Sequence, residues 1–227
     1  MKVEIWSDIM CPFCYIGKRN FEAALKEFDD KNEIEIEWKS FQLDPTIPKT
    51  FDKKLSTYEY LAERKGMTVE KSIELHSNVT EMARNVGLTY NFDQSVVANS
   101  FDAHKLIQLA KTKGLGDVAE EQLFKAYFTD GKDISNHSTL TELGNDVGLN
   151  EKEVISALES EEYSSKVNSD ISQGNELGVT GVPFFVFDRK YAISGAQPVE
   201  TFLKALKQSF SESNDNGISC KTNDGSC

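Results

Sequence analysis

Cys11 and Cys14, three positions apart in the stretch SDIMCPFCYIGKRNF (residues 7–21), are the side chains with the clearest capacity for chemistry. A thiol pair at this spacing has three uses. It can supply two ligands to a tetrahedral metal such as zinc, close a structural bridge, or pass electrons to other thiols by disulfide exchange. A second pair, Cys220 and Cys227, lies near the other end, with no cysteine between the two pairs. Four cysteines are too few for a disulfide-built secreted scaffold, and 227 residues can bury a real core without such staples.

The elements around the first pair decide among the three uses. Residues 2–8, KVEIWSD, mix β-formers with alternation and read as a strand. Phe13, Ile16, Phe21, Leu25 and Phe28 then recur at helical spacing over residues 12–28. Ile34, Ile36 and Trp38, with Phe41 beyond them, alternate as a strand with one buried face does. This order places Cys11 at a strand-to-helix junction with Pro12 at the first helical position, where a missing N–H costs nothing. Cys14 lies one turn on, within the ~5.5 Å Cα separation that a disulfide prefers. The first thiol then faces unpaired backbone N–H groups and the positive end of the helix dipole, which favour its thiolate. Lys18 and Arg19 add positive charge one to two turns along. Cys11 is therefore the expected attacking sulfur and Cys14 the resolving one.

From about Leu55 to Leu177 the chain reads as a run of helices. Leu75, Val79, Met82 and Val86 form one stripe; Ala103, Leu106, Ile107 and Ala110 form another; Leu123, Phe124, Tyr127 and Phe128 form a third. Ser56 with Glu59, Thr139 with Glu142, and Asn150 with Glu153 are spaced as helix starts, and Gly87, Gly114 and Gly148 as helix ends. β character returns in GVPFFVFDRKYAISG, read as a hairpin of Phe184–Phe187 and Tyr191–Ser194. A last helix is expected from Pro198, with Val199, Phe202, Leu203, Leu206 and Phe210 on one face. The expected fold class is α/β: a small β-α-β (1–52) and β-β-α (178–211) unit split by a helical insertion (53–177). A polar tail (212–227) with too little apolar content to order itself by burial follows.

Pro183, opening the strand in TGVPFF, gives up a ladder donor. If its bond with Val182 is cis, the Val182 backbone can face a bound chain and pair with it like a strand. A strand entering CPFC, a helix leaving it, and a late Val-Pro-aromatic strand with a hairpin resemble the thioredoxin superfamily. The helical block between the halves narrows the resemblance to its DsbA-like branch. SDIMCPFCYIGK, FDAHKLIQLAK, LFKAYFTDGKDISN and ELGVTGVPFFVFDRKYAISGAQP are similar to the cytoplasmic FrnE-type members over residues 1 to about 210. The resemblance implies a thioredoxin fold interrupted by an all-helical insertion, and dithiol–disulfide exchange with Cys11, Cys14 and Pro183 catalytic. Pro12, Phe13, Val182 and His104 complete the candidate substrate-contacting set, although His104, among the apolar faces of its helix, is more ordinarily a core histidine. The family's periplasmic oxidants usually carry Pro-His between the cysteines. With Pro-Phe here, the expected potential is nearer the glutaredoxin range, roughly −200 mV.

The expected partners are proteins bearing disulfides or thiols, with glutathione as a candidate co-substrate and no other cofactor. A formal charge of −12 disfavours nucleic acid and anionic membrane surfaces. No apolar run approaches the ~20 residues of a membrane span, and the start MKVEIWSD lacks the apolar core of a secretory leader, so the expected compartment is the cytoplasm. Cys220 and Cys227 form a possible second redox pair: ten residues beyond Phe210 span ~33 Å when extended, enough to reach Cys11. Two other functions compete with this one. The 2-hydroxychromene-2-carboxylate isomerases and kappa-class glutathione transferases resemble the inserted architecture but generally carry serine where Cys11 stands. The other is non-enzymatic: a thiolate metal buffer, with further ligands drawn from the tail, or a chaperone whose helical block offers an apolar groove.

Overall fold

A computed structural model describes residues 1–49 and 56–218, with side chains described as far as Ser213. Strand β1 (Lys2–Ser7) leads into helix α1 (Pro12–Lys26), and β2 (Glu35–Ser40) returns parallel to β1 with Ile5 opposite Trp38. Seven helices follow among the described residues: α2 (Thr57–Lys65), α3 (Val69–Asn85), α4 (Phe101–Thr112), α5 (Gly116–Phe128), α6 (His137–Asp146), α7 (Glu151–Glu159) and α8 (Glu161–Glu176). The hairpin β3 (Phe184–Phe187) and β4 (Tyr191–Ser194) and helix α9 (Val199–Ile218) complete the order. The sheet runs β2-β1-β3-β4, with β3 antiparallel to β1 and Phe185 opposite Ile5.

Five of the six residues of β1 are buried because both sheet faces are covered. Val3 and Ile5 join Phe21 of α1, Phe185 and Phe202 of α9; the Phe21 and Phe185 rings are 5.5 Å apart and those of Phe185 and Phe202 4.6 Å. Trp6 points to the other face, where its Nε1 donates to the Asp170 carbonyl of α8 at 2.8 Å. Gly174 permits that approach: a Cβ there would lie 2.8 Å from the Trp6 Nε1. Trp6 is thus a core aromatic between sheet and helix.

The structure moves several sequence-based boundaries. Strand β2 ends at Ser40, and Phe41 is buried just beyond it, its N–H donating to the Ser7 carbonyl. Helix α6 starts at His137, because the Asn136 side chain accepts from the Thr139 N–H and so caps the helix one turn ahead of Thr139. Ser56 and Asn150 do cap α2 and α7, and Gly87, Gly114 and Gly148 have the positive φ of helix ends. Helix α9 runs to Ile218, past the expected end at 211. Polar contacts hold the start of this extension: Tyr191 donates to Glu212 at 2.5 Å, and the Ser213 hydroxyl donates to Asp188 in the β3–β4 turn. Cys220 and Cys227 lie outside the described residues. No described helix is long and apolar enough to cross a membrane.

Candidate active site

β1 ends in Ser7 and Asp8, and the turn that follows is built by Asp8. Its carboxylate accepts from the N–H of Met10 at 3.2 Å and of Leu43 at 2.7 Å, and its carbonyl accepts from Cys11 N–H at 2.9 Å. Cys11 is thereby held as the N-cap of α1, with extended backbone (φ −88°, ψ 111°) and Pro12 at the first helical position. The Cys14 N–H donates to the Cys11 carbonyl at 3.0 Å, closing the first turn. Both sulfurs are free thiols.

Opposite them lies the loop before β3. The Val182–Pro183 bond is cis, and the Cys11 thiol donates to the Val182 carbonyl at 3.3 Å. Helix α1 passes this loop at Gly17, where a Cβ would lie 2.9 Å from the Pro183 ring. Tyr90, buried against Phe128 at 4.6 Å between rings, donates its hydroxyl to the Pro12 carbonyl at 2.7 Å. The helical insertion therefore touches the turn between the two cysteines.

A buried polar network backs the pair. The Ser7 hydroxyl donates to Glu120 of α5 at 2.7 Å, and Glu120 is 1% exposed. Burial pushes the Glu120 carboxyl up to about 7, against the pull of His104 and Ser7. His104, also 1% exposed, places Nε2 3.7 Å from the Asp8 carboxylate, an ion-pair distance too long for a hydrogen bond. Burial alone would lower its imidazole, but Asp8, Glu120 and the Phe41 carbonyl together raise it. Cys14 is 1% exposed; burial pushes its thiol well up, and the neighbouring Cys11 sulfur adds to the rise.

A cleft of about 560 Å³ opens on the other side of Cys11. Met10, Cys11, Pro12 and Phe13 form one wall; Leu61 of α2 and Leu75, Val79 and Met82 of α3 form the facing one. Phe13 therefore does not join the α1 core: it is 38% exposed at the cleft mouth.

The structure brings Cys11, Cys14, Val182 and Pro183 together, with Pro12 and Phe13 beside them. It removes His104 from the substrate-contacting set, because that ring is enclosed behind the dithiol and lines no part of the cleft. Lys18 and Arg19 turn away from the sulfurs to α5: Lys18 stands 3.2 Å from Asp117 and Arg19 pairs with Glu121. Among the described residues, no three His, Cys, Asp or Glu side chains cluster as metal ligands. Sequence reasoning missed Asp8, Tyr90 and Glu120. Asp8 had a local signal, an acid just before a capping position; Glu120 had none, since 113 residues separate it from Ser7.

A four-stranded sheet with a dithiol capping its first helix and a proline loop facing it defines a thioredoxin-type fold bearing a CxxC site. The DSBA-like thioredoxin domain model matches residues 2–207, and the chain belongs to that family. A probable DsbA oxidoreductase from Streptomyces coelicolor is similar in structure, with a TM-score of 0.88 and 37% identity over 93% of this chain and 91% of that one. The uncharacterized protein YwbO of Bacillus subtilis is 28% identical over 206 residues, 90% of this chain and 94% of its own. The cytosolic disulfide reductase DsbM of Pseudomonas aeruginosa shares the fold at a TM-score of 0.66 and 16% identity, over 93% of this chain and 99% of its own.

Proposed function

We propose that the chain is a cytoplasmic thiol–disulfide oxidoreductase with Cys11 and Cys14 as its working dithiol. One observation carries this reading: Cys11 caps α1 in the wall of an open cleft, with the Cys14 N–H donating to its carbonyl and the Cys14 thiol buried one turn behind. Because burial keeps Cys14 protonated, Cys11 is the entering nucleophile.

In the reducing direction the Cys11 thiolate attacks one sulfur of a substrate disulfide. The substrate S–S bond breaks, a mixed disulfide forms, and the second substrate sulfur leaves as a thiolate. Cys14 then gives up its proton and attacks the Cys11 sulfur. The Cys11–Cys14 disulfide forms, the first substrate sulfur is released, and two electrons have passed to the substrate. Low-molecular-weight thiols such as glutathione, or a protein dithiol, return the pair to the reduced form. Oxidation of a substrate dithiol is the same sequence run backwards. Val182 and Pro183 bound the site where the substrate backbone lies, and Pro12 and Phe13 flank the attacking sulfur. Cys11→Ser is expected to abolish catalysed reduction of insulin, while Cys14→Ser accumulates mixed disulfides visible by mass spectrometry. Full turnover by Cys11→Ser would overturn the reading.

Retention of both thiols weighs against the glutathione-dependent isomerase or transferase reading.

A further inference from the structure

His104 is a buried titratable group that the exchange steps leave unused. Its Nε2 finds no hydrogen-bond partner among the described residues. A buried polar atom without a partner is rare and calls for a reason. The charge it faces is the Asp8 carboxylate at 3.7 Å, itself fully buried.

Asp8 gives that charge its importance. Its carboxylate holds the turn into α1 through the N–H groups of Met10 and Leu43, and its carbonyl takes the Cys11 N–H at 2.9 Å. Two backbone N–H donors favour the ionised carboxylate. Its field reaches beyond the turn: burial first, and Asp8 next, push up the Tyr127 phenol of α5. Asp8 also lies against the resolving thiol. Burial and the Cys11 sulfur raise Cys14, and the Asp8 backbone and the Ser7 side chain oppose them. A fixed anion disfavours a second one nearby, and each step of exchange needs a thiolate at Cys11 or Cys14.

We propose that His104, charged and paired with Asp8 behind the dithiol, cancels the Asp8 charge and so allows a thiolate to form at the site. The proposal rests on the dithiol reading above and adds a positioning residue to it. His104 acts through Asp8 and touches no substrate, in keeping with its enclosure. Burial opposes a charged ring, as does the positive end of α4, in whose first turn the ring lies. Asp8, Glu120 of α5 and the Phe41 carbonyl beyond β2 favour it, and the balance is a raised imidazole. The other charges of α4 are engaged elsewhere: Asp102 with Lys49 at 3.1 Å and His137 at 3.0 Å, and Lys105 with the Leu158 carbonyl. Asp8 and His104 are thus left to answer each other.

The first test reads the parent protein. The ring nitrogens of His104, followed by NMR in the reduced full chain, should show an imidazolium at pH 7. Linkage is reciprocal, so closing the Cys11–Cys14 disulfide, which removes the thiolate, should lower the titration midpoint of the ring. A neutral ring at pH 7 in the reduced protein would overturn the proposal. The second test is the pH profile of Cys11 alkylation. His104→Gln should raise its midpoint by about one pH unit. In a glutathione buffer of fixed composition the same variant should shift the pair up to about tenfold toward the disulfide. Adding Asp8→Asn to His104→Gln should bring both readings back toward the parent. His137→Gln, which breaks an exposed pair with Asp102, should move neither. A less stable His104→Gln with its alkylation midpoint and glutathione equilibrium unchanged would make His104 a packing residue and overturn the proposal. A parent protein inert towards every disulfide would instead strike the oxidoreductase reading, while the ring charge and the alkylation midpoint would still decide the pairing.

Discussion

The two sides of the dithiol are built in opposite ways. Behind it, α4 is buried without a break from Asp102 to Ala110, and α5 contributes Leu123, Phe124, Tyr127 and Phe128 to the same core. In front of it, α2 fully buries Thr57 and Ala62, and α3 in 17 residues fully buries Ser72 and Ala83. Those front helices are held by fewer contacts: in α2 Arg64 donates to the Leu43 carbonyl at 2.7 Å and Tyr60 to Asp44 at 2.5 Å, and Val79 of α3 packs half-buried against the core. The difference teaches a division of labour. A close-packed back fixes the turn carrying the cysteines, while a lightly anchored front leaves apolar surface for something else to cover.

The contrast can be broken most forcefully from behind. Phe124 is fully buried and stacked at 4.9 Å on Tyr15, the residue that follows Cys14. Phe124→Ala is expected to destabilise by about 3–5 kcal/mol, read from the urea midpoint at unchanged slope. A loss below about 1 kcal/mol would mean that the back is not the rigid partner.

A smaller effect comes from the acid within that back. Glu120 is raised from its ordinary 4.5 to about 7 by burial, with His104, Ser7 and Lys18 opposing the rise and Asp117 adding to it. Between those values the folded protein binds more protons than the unfolded chain, so unfolding free energy falls as pH climbs through the window. Above 7 the buried charge costs its full amount, at most about 3 kcal/mol at 1.4 kcal/mol per pH unit. Glu120→Gln keeps an acceptor for Ser7 and removes the charge. It should therefore be more stable than the parent at pH 8, with the advantage gone near pH 4.5. Parallel stability curves for the two proteins across pH 4–8 would show that Glu120 does not titrate as its surroundings require.

Much of the first thirty residues was legible because their structure is set locally. Alternation in KVEIW, a cysteine at the capping position and a proline after it suffice to place β1, α1 and both thiols. The hairpin was legible for the same reason, with Asp188 and Arg189 at positive φ in its turn. The cleft was not. Leu75, Val79, Met82 and Val86 look like any core stripe at helical spacing, and nothing in periodicity says whether an apolar face meets protein or open space. His104 illustrates the converse: its position among apolar residues correctly signalled the core, while the idea that it touches substrate had no local support. Asp170 could not have been found at all. It accepts from Ser40 N–H at 3.0 Å and from Gln108 at 2.6 Å, partners 130 and 62 residues away.

The smallest effect is expected at the front, and its smallness is the point. Met82 is 43% exposed on the wall facing Cys11 and belongs to no buried cluster. Truncating a core methionine to alanine costs about 2–5 kcal/mol, because a cavity is left where atoms were packed. At Met82 the space is already open, and alanine is a better helix former than methionine by a small margin. Met82→Ala should therefore shift stability by about 0.5 kcal/mol or less in either direction. The two faces of the molecule then separate in one pair of urea curves, Phe124→Ala displaced far and Met82→Ala superposed on the parent. A large loss at Met82 would mean that α3 is packed in solution against something that closes the cleft, and the open wall beside Cys11 would have to be abandoned.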